Sequence, residues 1–155
     1  MKVVTVKKYC ALFAICALSS VHAIEVSLNG TAGQAGDSLL DSGGSPISVG
    51  TLGLLIVDTA GDGVEIPVGS FSPDSFIGST DNFLVSMLEA SDVFGNRVIG
   101  FSNQSANNPG LSQGDEFYIA WFPGSTIATT SFVGGENYGL TTRTASPDPW
   151  VLPPD

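Results

Sequence analysis

Phe117–Phe122 reads FYIAWF, and the way its side chains alternate decides the fold. In an extended chain successive side chains point to opposite faces of the sheet. Phe117, Ile119 and Trp121 therefore share one face, and Tyr118, Ala120 and Phe122 the other. Both faces are apolar, which is the pattern of a central strand covered on both sides, with its aromatics in the core. Other short apolar or alternating segments recur around it: Glu25–Leu28, Ile47–Val57, Val64–Phe71, Phe83–Leu88, Arg97–Phe101, Thr126–Val133, Tyr138–Arg143 and Trp150–Leu152. Turn signals separate them, among them Asn29-Gly30, Ser42-Gly43-Gly44-Ser45-Pro46, Asp62-Gly63, Ser72-Pro73-Asp74, Asn108-Pro109-Gly110, Pro123-Gly124 and Gly134-Gly135. Each supplies positive φ, fixed φ or a side chain that bonds its own backbone.

Strands at this spacing predict an all-β fold, an antiparallel β-sandwich of jelly-roll or immunoglobulin-like type. One segment reads two ways. In Thr80–Asp92, Phe83, Leu84, Met87 and Leu88 fit a helical stripe with Thr80 as N-cap, so a short helix competes with a strand there.

The first 23 residues have the form of a secretory signal peptide: Lys2, Lys7 and Lys8, then CALFAICAL, then a small-residue site ending at Ala23. The apolar run is too short for a permanent bilayer span. Of the 155 residues, 132 remain after those 23, expected as one β-sandwich domain over 24–155 with a proline-rich C-terminal tail. All the Lys, both Cys and the sole His lie in the leader. What remains sets two cations, Arg97 and Arg143, against fifteen Asp and Glu, a formal charge of −13. Such a surface repels nucleic acid and anionic lipid and favours cations. The expected place is outside the cytoplasm: extracellular, cell-surface or periplasmic.

Two stretches resemble catalytic motifs. Gly36–Gly44, GDSLLDSGG, resembles the nucleophile block of the GDSL esterases, with Ser38 as the attacking hydroxyl. That chemistry needs a His base, and none remains once the leader is removed. Loss of His, Cys and Lys also removes thiol hydrolases, imidazole- and thiolate-bound metals and Schiff-base chemistry. LLDSGG also resembles the turn of aspartic peptidases, in which Asp41 would share a proton with a second Asp. Only one such turn exists, so Asp41 would have to meet its own copy in a homodimer of the retroviral type, with Val98-Ile99-Gly100 as the later block. The competing reading of DSGGSP is a hairpin turn in which Asp41 bonds its own backbone.

Among binding readings, Asp58-Thr-Ala-Gly-Asp62-Gly-Val-Glu65 is an oxygen-rich loop, and Asp58, Asp62 and Glu65 are the candidate Ca²⁺ ligands. Its spacing departs from the EF-hand, and a β-turn at Gly61-Asp62-Gly63 is the alternative. No other cofactor is expected. Trp150, among prolines, is the aromatic most open to stacking on a sugar ring, or else it pins the tail to the sandwich. Asn29-Gly30-Thr31 and Asn103-Gln104-Ser105 match the N-glycan acceptor pattern.

Three blocks, DSGGSPISVGTLGLLIVDTAGDGVE, GDEFYIAWFPG and YGLTTRTASPDPWVLPPD, together resemble exported bacterial proteins of the PEP-CTERM-associated type. The chain departs from them in ending at Pro153-Pro154-Asp155 without the Pro-Glu-Pro sorting segment. The resemblance implies no catalytic activity and makes Asp41 part of a recurring turn. The expectation is a non-catalytic secreted or cell-surface protein with a structural, matrix or adhesion role. Extracellular polysaccharide or surface proteins are the expected partners.

Overall fold

A computed structural model describes residues 24–33, 38–78, 81–108, 110–141 and 150–152. The expected leader, Thr80, Pro109, Arg143 and most of the proline-rich tail lie outside the described residues. The strands are β1 (Ile24–Ala32), β2 (Leu52–Asp58), β3 (Gly69–Ser70), β4 (Ser75–Ile77), β5 (Asn82–Glu89), β6 (Ser91–Val93), β7 (Asn96–Asn108), β8 (Glu116–Phe122), β9 (Ser131–Phe132) and β10 (Gly139–Thr141). The fold is all-β and antiparallel, with no helix among the described residues.

The larger sheet has the order β10-β8-β2-β5-β4, so β2 and β8 lie inside it. Every residue of β2, LGLLIVD, is buried. On one face of this sheet Leu55, Val57, Phe83, Val85, Leu88, Phe117 and Ile119 pack under Ala32 of β1 and Ile99 and Phe101 of β7. The covering sheet has the order β1-β7-β6. On the opposite face Leu52, Leu54, Ile56, Ile77, Leu84, Ala120 and Phe122 pack under Phe71 and Phe132. The β3–β9 ribbon closes this second face through rings: Phe132 lies 4.5 Å from Phe122 and 4.8 Å from Phe71, centroid to centroid. Each fully buried Leu, Ile or Phe contributes about 1.5–3 kcal/mol relative to exposure, so the doubly covered strands hold the fold.

The segment that reads two ways is strand β5, not a helix. Leu55 pairs with Ser86 and Ile56 with Leu84, so Val85 is an extra residue at a bulge. The bulge shifts the alternation, leaving Phe83, Val85 and Leu88 on one face and Leu84 and Met87 on the other. A strand buried on both faces and interrupted in this way imitates the helical stripe.

Two glycines permit close approach. A Cβ on Gly53 would fall 2.9 Å from Ile99 Cδ1, so its absence lets the covering sheet settle onto β2. A Cβ on Gly139 would collide with the Trp121 ring, which lies over it across the β8–β10 pair.

Candidate functional site

Asp41 lies in a hairpin whose arms meet at the Leu40–Pro46 bridge. Its Oδ1 accepts the N–H groups of Gly43 at 2.8 Å and Ser45 at 2.9 Å, and its own N–H donates to Ser45 O. The carboxylate therefore holds its own turn, the arrangement that favours Asp at such positions. Ser38 is drawn in as an acceptor: its Oγ takes the Arg97 N–H at 3.0 Å. That bond ties the segment before the hairpin to β7.

The Asp58 loop repeats the device in a buried setting. Asp58 ends β2 and is 1% exposed. Oδ1 accepts from Ala60 at 3.0 Å and Gly61 at 2.8 Å, and Oδ2 accepts from Gly63 at 2.8 Å. An ionised carboxylate offers about four lone-pair sites, and three of those on Asp58 are taken by its loop. Asp62 and Glu65, expected to join it around a cation, are both exposed. Among the described residues no group of three or more His, Cys, Asp or Glu stands close enough to hold a metal ion.

Further polar groups gather where Asp58 leaves the sheet. Glu116 is its partner across the β2–β8 pair, and Asn82 its partner across β2–β5. Tyr118 donates its hydroxyl to Glu116 Oε2 at 2.6 Å. Burial, that bond and the charges of Glu116 and Asp58 push the Tyr118 phenol up to about 12. Asp115 accepts the Ser112 N–H at 2.7 Å. Burial raises its carboxyl above the usual range, the Ser112 bond opposes the rise, and the charge of Asp58 adds to it. Tyr118 thus stays a neutral donor to Glu116, while Asp58 and Asp115 accept backbone N–H groups.

Trp150 pins the tail. Its ring stacks on Phe117 at 5.3 Å and 9°, and meets Phe101 edge-on at 6.0 Å. Phe117 N–H donates to Trp150 O, and Leu152 N–H to Asp115 O, with Val151 bridged to Glu116. The tail thereby continues the β8 edge that β10 begins at Trp121, Ala120 and Ile119. Trp121 donates its indole N–H to Leu40 O at 2.9 Å. Each indole therefore has a structural task.

The structure adds one position that the turn signals do not reach. Val93 and Asn96 pair across the two-residue loop Phe94-Gly95, and the Phe94 side chain is 97% exposed. Val133, which follows β9, is 93% exposed. No Asn-Gly or Asp-Gly pair marks the Phe94 turn. Only its flanking apolar residues and Gly95 could have betrayed it.

Searches against protein families, curated proteins and solved structures find no match to the chain.

Proposed function

We propose that the chain is a non-catalytic exported protein acting at or outside the cell surface, in a structural, matrix or adhesion role. The observation that carries this reading is the use made of its carboxylates. Asp41 and Asp58, the two acids in motif-like settings, accept five backbone N–H groups between them, all within 3.0 Å. Asp58, with three acceptor sites taken by its loop, has little capacity left to bind a cation, and Asp41 holds its turn through two bonds to Oδ1. Rigid loops on a heavily buried scaffold are the usual basis of recognition. The expected partners are surface proteins or extracellular polysaccharide. Calcium at Asp58, Asp62 and Glu65 would have to compete with the loop's own N–H groups.

The test is saturable binding of the purified chain to washed envelopes of the cells that export it, and to their soluble polysaccharide. Binding to either supports a surface role. A peptide-cleaving activity that disappears in Asp41→Asn would replace this reading with the homodimeric aspartic peptidase.

A further inference from the structure

The β6–β7 hairpin spends conformational strain to expose an aromatic ring. Its two central residues, Phe94 and Gly95, have φ of 53° and 84°. Positive φ at both positions is what the type I′ turn requires, and Asn-Gly is the pair that meets it at least cost. For a bulky side chain such as Phe, positive φ is an outlier. Burial does not compensate, because Phe94 is 97% exposed and Val93 beside it is 44% exposed.

The turn is nonetheless braced. Gly95 N–H donates to Asp92 Oδ1 at 2.8 Å, and Arg97 Nη1 forms an ion pair with Asp92 Oδ2. Leu39 N–H and Ser38 Oγ bond the backbone of Arg97 from the side. A strained residue that its surroundings hold in place is a pointer to function.

We infer that Phe94 is a preorganised apolar anchor that enters a pocket on a partner protein, deepening the surface role proposed above and resting on it. Three occupants compete. A second copy is disfavoured, because two chains that each carry a formal charge of −13 outside the leader repel. Lipid is disfavoured because one ring buries less than a single myristoyl chain, which by itself gives only marginal membrane binding. A protein pocket adds shape complementarity around one central aromatic, the usual composition of a binding hot spot. Asp92 at the base of the tip is paired with Arg97, and the chain as a whole is strongly acidic, so the surface around the partner's pocket is basic.

The experiment pairs binding with stability. Wild type, Phe94→Asn and Phe94→Trp are titrated onto intact envelopes of the exporting cells, onto the same envelopes stripped with protease, and onto phosphatidylcholine vesicles. Thermal midpoints are measured alongside. Expected are saturable binding to intact envelopes only, at least about tenfold weaker for Phe94→Asn and retained by Phe94→Trp, with the Phe94→Asn midpoint unchanged or a few degrees higher. Equal binding by Phe94→Asn would remove the anchor while leaving the surface role. Wild-type binding to vesicles or to stripped envelopes would overturn the protein pocket. A lower midpoint for Phe94→Asn would make the ring structural, and no wild-type binding to any envelope would remove the anchor, the surface role falling with it only if soluble polysaccharide is not bound either.

Discussion

The centre of the larger sheet and the β6–β7 hairpin use aromatic residues in opposite ways. Phe122 on β8 is fully buried between Leu52, Phe132 and their neighbours, and its environment specifies a ring of that size. Phe94 lies in a backbone conformation unsuited to it and touches solvent on nearly all sides. The first ring is kept by packing, and the second is retained against local preference. Where a sequence conflicts with its own fold, the reason is to be sought in recognition.

The sharpest break would come at the centre. Phe122→Ala should cost about 3–5 kcal/mol, read by denaturant unfolding, since deleting a buried ring leaves a cavity as well as losing transfer energy. A cost under about 1 kcal/mol would mean that the second face is not packed. Next comes Asp58→Ala, which strips acceptors from three loop N–H groups beside the core. Its expected cost is about 2–3 kcal/mol. Asp41→Ala, at a half-buried position with two bonds to lose, should cost less. Added calcium or chelator should leave the wild-type melting midpoint unchanged, and a rise with calcium would show that a cation competes with the loop. Gly139→Ala should cost about 1–3 kcal/mol by forcing the Trp121 ring off its partner strand. Its indole fluorescence should then report greater exposure.

A smaller effect concerns pH. The folded state raises the Asp115 carboxyl, chiefly through burial. A raised carboxyl contributes stability that is fully present below its unfolded value and is lost as pH rises through the folded one. Asp115→Asn, which resembles the protonated form, should therefore reduce the loss of stability between about pH 4 and neutrality. The check is the difference in midpoint at those two pH values, variant against wild type.

Much of the sheet was legible because burial on both faces leaves a direct trace. The alternation of FYIAWF identifies β8 as a central strand, and the apolar run ending at Val57 marks β2. Other segments misled for physical reasons. The Val85 bulge gave β5 the look of a helix. Val64–Phe71 and Thr126–Val133 read as full strands, yet only Gly69–Ser70 and Ser131–Phe132 form a ladder. Their apolar residues Val64, Ile66 and Phe71 cover the core from loops instead. Strand β6 was hidden because Phe94-Gly95 lacks the residues that usually announce a two-residue hairpin. At the candidate site, the turn reading of DSGGSP survives in the bonds from Gly43 and Ser45 to Asp41. The burial of Asp58 was not legible, because it depends on loop closure over the sheet end and not on local composition.

The smallest expected change is the most telling, because its sign matters more than its size. Unfolding free energies of Phe94→Asn and Phe122→Ala should be measured in one buffer against wild type. The variant at the tip should be as stable as wild type or up to about 1 kcal/mol more stable, as a favoured turn residue replaces a strained one, while the variant in the sheet falls steeply. A substantial fall in both would contradict the division between a ring that packs and a ring that waits for a partner.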